Sequence, residues 1–128
     1  MNLFTMFKAL FTSAPRFTPT DCAHRVRNGE AFLVDVRESG EWADGVAQSA
    51  RLLSFSDLNG TRTQWKPFLA EAHGREVLLY CASGARSGWA ARLLVAEGIR
   101  AANTGGLGDW RAAGWPVARP STSGAKAR

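Results

Sequence analysis

Cys81 ends an apolar run, Val77-Leu78-Leu79-Tyr80, and opens a loop of small residues, Ala82-Ser83-Gly84-Ala85-Arg86-Ser87. The run has the length of a buried strand, and a helical pattern begins at Ser87. A thiol between a strand end and a helix start meets unpaired backbone N–H groups and the positive end of the helix dipole. Both favour the thiolate over the thiol. Such a thiolate is a nucleophile for covalent catalysis, and it points to sulfur or phosphate chemistry. The N–H groups of Ala82, Ser83, Gly84, Ala85, Arg86 and Ser87 can form an anion-binding nest around it. Gly84 permits a positive φ or a close backbone approach. Ser87 can cap the helix. Arg86 is a fixed charge, placed either to pair with a buried carboxylate and hold the loop or to face the donor.

Other residues with chemical potential carry less. Asp35 and Arg37, at the end of a second apolar run, read as supports that anchor the loop by hydrogen bonds and ion pairs. Cys22, among Ala23 and Val26 on a helical stretch, reads as packing. Two cysteines are too few for a disulfide framework, and a bond between them would block Cys81. A reducing, cytoplasmic setting fits better. His24 and His73 have no Cys/His partner at ligand spacing, so no metal is expected, and nothing in the chain calls for a cofactor.

The elements that must position Cys81 follow from periodicity and breakers. Thr18-Pro19 reads as a helix start and Asn28-Gly29 as its stop. Phe32 to Val36 is a continuous apolar run and predicts a buried parallel strand. Glu38 to Asp44 predicts a brief helix, Ala50 to Leu53 a short strand, and Gln64 to Ala72 a helix. Glu76 to Tyr80 is the strand that delivers Cys81, and Ser87 to Glu97 the helix that leaves it, with Gly98 as its cap. Ile99 to Ala102 predicts a strand, Gly105-Gly106 a turn, and Leu107 to Ala113 a last helix. Strands alternating with helices imply an α/β fold, with a mostly parallel sheet of about four to five strands and helices on both faces. The five tryptophans are expected mainly in packing, with Trp42, Trp89 and Trp110 as candidates for a pocket rim.

The chain has 128 residues and a formal net charge of +5. The excess lies at the two ends, because residues 1–20 and 118–128 hold basic residues and no acid, while 21–117 balance to zero. A neutral body argues against a nucleic-acid partner. Residues 1–17 place Leu3, Phe4, Phe7, Leu10 and Phe11 at helical spacing. A short helix on the domain is the preferred reading, with contact to a membrane surface or a partner as the alternative. No run approaches the ~20 apolar residues of a membrane span. From Pro120 the composition turns to Ser, Gly, Ala and Lys, and residues 119–128 are expected to form a disordered basic tail.

Three stretches together resemble the rhodanese-like (sulfurtransferase) family in its single-domain form. Asp35-Val36-Arg37-Glu38 with Glu41-Trp42 is similar to D-V-R-x-x-x-E-[YFW]. Cys81 to Ser87 is similar to C-x-x-G-x-R-[ST]. Gly105-Gly106 through Trp110 to Ala113-Gly114-Trp115-Pro116-Val117 is similar to G-G-x-x-x-W-x-x-A-G-x-P-V. The match spans residues 18–118 and departs at Gly45-Val46-Ala47-Gln48-Ser49-Ala50, where the family usually has G-H-I-P-G-A. It departs again at Ala82, where active members often have arginine. The resemblance implies a sulfurtransferase that moves sulfane sulfur from a donor such as thiosulfate through a Cys81 persulfide. The acceptor would be thiophilic: cyanide, a thiol or a carrier protein. Two alternatives stand beside it: a sulfur-relay module with little small-molecule activity, and a phosphatase or arsenate-reductase-like enzyme. Related phosphatases use C-x5-R, whereas Arg86 lies five positions after Cys81. The shorter loop suits one added sulfur better than a phosphate.

Overall fold

The apolar runs at 31–36 and 76–81 become the two central strands of a parallel sheet. The computed structural model describes residues 3–120. In chain order the elements are α1 (Leu3–Ala9), α2 (Pro19–Arg27), β1 (Ala31–Asp35), α3 (Ser39–Trp42), β2 (Val46–Ala47), β3 (Arg51–Leu52) and α4 (Phe55–Leu58). They continue as α5 (Trp65–Glu71), β4 (Glu76–Cys81), α6 (Ala85–Ala96), β5 (Ala101–Gly106), α7 (Leu107–Ala112) and β6 (Val117–Ala118). The main sheet runs β3-β1-β4-β5, all parallel, and β2 pairs antiparallel with β6 in a second, two-stranded sheet. No described helix is long and apolar enough to cross a membrane.

Side-chain alternation along β4 sorts two cores. Val77, Leu79 and Cys81 face Trp65, Phe68, Leu93 and Leu94 of α5 and α6. Leu78 and Tyr80 face Cys22, Trp110 and Trp115 on the α2 and α7 side. Period two therefore aims Cys81 at α6 and Tyr80 away from it. Both flanks of the sheet are covered, which is why its inner strands read as unbroken apolar runs. Local signals place the covering helices. Thr18 caps α2 by accepting the Asp21 N–H at 3.1 Å, with Pro19 in the first turn. Trp65 and Phe68 meet edge to face at 5.8 Å between ring centres.

Several elements differ from the sequence expectation. The strand expected over 99–102 lies at Ala101–Gly106, and the Gly105-Gly106 pair belongs to it rather than to a turn. The helix expected over Glu38 to Asp44 is the single turn α3, and β2, β6 and α4 have no counterpart among the predicted elements. Val46, where the family pattern has histidine, is buried in β2 opposite Ala118. Ser49, where that pattern has its second glycine, takes φ 72°, a left-handed turn conformation uncommon for a residue with a side chain.

The N-terminal segment divides in two. Helix α1 sits on α6 through Ala9, fully buried, while Arg92 of α6 donates to the carbonyls of Leu10 and Thr12 at 3.2 Å. Its apolar stripe points outward: Leu3, Phe4, Phe7, Leu10 and Phe11 are all more than half exposed. Residues 15–17 then run beside β5, with the Asn103 N–H donating to Pro15 O and the Phe17 N–H to Asn103 O, each at 3.0 Å. The tail expected over 119–128 lies, from residue 121 on, outside the described residues.

Candidate active site

Strand β4 ends at Cys81, and its side chain is buried, at 1 % exposure. The chain turns back over it through Ala82 and Ser83, and α6 begins at Ala85 with Gly84 as its cap. Gly84 has φ 101°, a left-handed value that glycine adopts without steric cost. That turn aims its N–H at the Cys81 Sγ, 3.0 Å away. The Ser87 N–H and Ser87 Oγ each lie 3.4 Å from the same sulfur. Ser87 is therefore not the helix cap its position suggested. It stands inside the first turn and faces the sulfur, and Ala85 and Arg86 share that turn.

Burial is the largest single influence on Cys81 and opposes its ionisation. The Ser87 hydroxyl and the N–H groups of Ser87, Gly84 and Ser83 together outweigh it, and the thiol pKa falls below its ordinary value of 9.0. Cys22 makes the contrast. Burial pushes its pKa up to about 11, and its thiol is 3.3 Å from the Thr18 carbonyl, to which it donates. One thiol is held ready to ionise and the other is held neutral.

Arg86 forks onto Glu41, with Nη1–Oε1 at 2.7 Å and Nη2–Oε2 at 2.9 Å. Glu41 also accepts the Glu38 N–H at 2.9 Å. The Arg86 bond first, and that N–H second, hold the Glu41 carboxyl down at about 2. Of the two roles open to Arg86, the geometry places it on a carboxylate, although that carboxylate is half-exposed rather than buried.

Asp35 and Arg37 form a buried cluster under the loop that carries Glu41. The Arg37 Nη2 lies 2.8 Å from Asp35 Oδ2 and 2.7 Å from the Gly45 carbonyl. Asp35 also accepts from the Tyr80 hydroxyl at 2.6 Å and from Trp42 Nε1 at 3.2 Å. Tyr80 Oη in turn accepts the Ala47 N–H at 2.8 Å. The strong donors and acceptors of the cluster bond one another and the main chain at Glu41, Gly45 and Ala47, which ties these loops to β1 and β4. Trp110 is fully buried against Thr104, and Trp89 stacks under Arg92, so neither adds a group to the sulfur site.

The residues that sequence reasoning missed come from β5. Asn103 Nδ2 donates to the Gly84 carbonyl at 3.0 Å, and its Oδ1 accepts from Gly105 N at 3.0 Å and from Ser87 Oγ at 2.7 Å. It thereby latches the loop to the strand. Gly106 packs so closely on the Ala82 carbonyl that a Cβ there would overlap it. The one available signal was a polar residue, Asn103, followed two positions later by a glycine pair in an otherwise small, apolar run.

A family model described as Rhodanese-like domain matches residues 18–113. An uncharacterized protein of Synechocystis sp. is 36% identical over 90 residues, covering 69% of this chain and 47% of the relative. The chain thus spans about half the length of that curated relative. Among solved structures, a rhodanese-related protein from Thermoplasma volcanium superposes with a TM-score of 0.65 at 22% identity, covering 81% of this chain and 97% of the other. A rhodanese-like domain from Anabaena sp. superposes with a TM-score of 0.65 at 23% identity, covering 89% and 87%. At these identities the structural likeness is one of fold.

Proposed function

The chain belongs to the rhodanese-like domain family, and from that premise we propose that it is a sulfurtransferase carrying sulfane sulfur on Cys81. The observation that carries this reading is the convergence of the Gly84 N–H, the Ser87 N–H and the Ser87 hydroxyl on one buried sulfur. The two N–H groups, fixed in that arrangement, stabilise negative charge on sulfur without reorganising during the reaction.

In the first step the Cys81 thiolate attacks the outer sulfur of a donor such as thiosulfate. The new S–S bond forms as the old one breaks, and sulfite leaves with the electron pair. In the second step a thiophilic acceptor attacks the outer sulfur of the persulfide, and the Cys81 thiolate returns. With cyanide the product is thiocyanate. No proton is gained or lost over the cycle, and each step is simpler than direct transfer. The outer sulfur lies about 2.05 Å beyond Sγ along the new bond. That reach matters for a thiol buried at 1 % exposure, because it brings the reacting atom toward the acceptor.

A sulfur-relay role with a protein acceptor is the second reading. It is favoured by Ala82, which brings no charge to the loop, and by the Arg86–Glu41 pair, which occupies the loop arginine. Phosphate chemistry is the poorer fit, because only four residues separate Cys81 from Arg86. The test is intact mass after incubation with thiosulfate. The wild type is expected to gain one sulfur atom and Cys81→Ala none. Turnover to cyanide against transfer to a protein thiol then divides the enzyme from the relay. Absence of any adduct with several sulfane donors overturns both.

A further inference from the structure

We propose that Arg16 recognises the anionic group of the sulfur donor beside the Cys81 loop, a role that rests on the sulfur-transfer reading above. Residues 15–17 are fixed to β5 by the two main-chain hydrogen bonds at Asn103, and this places the Arg16 guanidinium against two glycines. A Cβ at Gly84 would lie 3.3 Å from Arg16 Nη1 and 3.6 Å from Nη2, and one at Gly105 would lie 3.4 Å from Nη2. Any side chain at either position would crowd the place the guanidinium occupies. The Gly84 N–H reaches Cys81 Sγ at 3.0 Å. Ordinary covalent geometry therefore puts the guanidinium within about 9 Å of the sulfur.

The charge is available. Arg86 is forked onto Glu41, and Ala82 brings none. The Arg16 side chain makes no ion pair or side-chain hydrogen bond among the described residues. Asp109 lies on the same side, where its Oδ2 accepts the Gly106 N–H at 2.8 Å, and it forms no ion pair with Arg16. A cavity of about 490 Å³, lined by Arg16, Thr18, Thr104 and Asp109 among others, adjoins Arg16 on the α2 and α7 side; the loop from Cys81 to Ser87 does not line it. A planar guanidinium suits the paired oxygens of a sulfonate or carboxylate.

The test uses two alkylating agents of similar size, anionic iodoacetate and neutral iodoacetamide, on Cys81 in the intact chain. Each reacts by displacement of iodide by the thiolate, so their rate ratio reads the positive field at the sulfur. Arg16→Gln is expected to slow iodoacetate about three- to tenfold and to leave iodoacetamide within about twofold, while Arg16→Lys restores the ratio. In the same variant the KM for thiosulfate rises with kcat retained, as for loss of a contact made equally in ground and transition states. An unchanged ratio, or equal loss with both agents, overturns the proposal. A wild type that prefers iodoacetate in an Arg16-dependent way but gains no sulfur from thiosulfate overturns sulfur transfer and leaves the anion role standing.

Discussion

Ser87 has one hydroxyl proton and three acceptors within reach: Asn103 Oδ1, Cys81 Sγ and the Gly105 carbonyl. The Asn103 amide is oriented by its own bonds, donating through Nδ2 to Gly84 O and receiving the Gly105 N–H on Oδ1. Oδ1 must therefore accept from Ser87, and at 2.7 Å it is the closer partner than Sγ at 3.4 Å. While Cys81 is a thiol the hydroxyl donates to Asn103 Oδ1. When the thiolate forms, the hydroxyl can turn to it only by giving up that bond. The fixed N–H groups of Ser87, Gly84 and Ser83 thus supply the steady part of the depression, and the hydroxyl a conditional part. Ser87→Ala is expected to raise the midpoint of the Cys81 alkylation rate against pH by up to about one unit. The wild-type midpoint lies below 9.0, because the folded state favours the ionised form. A midpoint at the ordinary thiol value in the wild type would contradict the geometry. Cys81 and Arg86 were legible in the sequence because their spacing is local. Asn103 was not, since its partners lie 16 and 19 positions away.

At the scale of elements, the register of β4 with β5 sets the loop. Leu79 pairs with Asn103 and Cys81 with Gly106, so β5 carries one residue more than β4 over this stretch. Such a bulge bends its strand. Here it accompanies the contact of Gly106 with the Ala82 carbonyl. Gly106→Ala must displace that carbonyl, and with it the turn that aims the Gly84 N–H. The expected cost is about 1–3 kcal/mol in urea unfolding, together with a Cys81 alkylation profile shifted toward that of an ordinary thiol. Retained stability with an unshifted profile would show that the loop does not depend on this packing. The buried strands β1 and β4 were readable as apolar runs, and α2 by its cap and proline. Strands β2 and β6, two residues each, were not, because what defines them is a pairing between residues 70 and 72 positions apart. The start of α6 was misplaced for a related reason: the left-handed turn at Gly84 begins the helix earlier than the apolar pattern implies.

The whole molecule places two neutral ionisable groups in the core on the α2 and α7 side. Burial is the leading cause for both: it raises Cys22 to about 11 and pushes the Tyr80 hydroxyl well above its usual value, with the Asp35 charge adding to the second. Both groups ionise more easily in the unfolded chain, so their contribution is fully present below the unfolded values and is lost as pH rises through the folded ones. Urea unfolding midpoints are expected to fall from pH 9 to 11 (both about the window set by an ordinary thiol and by the folded Cys22). Cys22→Ala should flatten part of that decline, and a slope unaltered by it would place the alkaline loss elsewhere. Cys81 acts with the opposite sign: its contribution grows as pH rises toward 9.0 and is complete above it, so the decline from pH 9 to 11 belongs to the other two groups. The same scale shows what residues 15–17 accomplish. They lie along the outer border of β5, where free main-chain groups would otherwise template the addition of a foreign strand. One tripeptide is at once the sheet's selvedge and the mount for a cation, so a nick just ahead of Thr18 would leave the protein both stickier toward its own kind and indifferent to the charge of what it is offered.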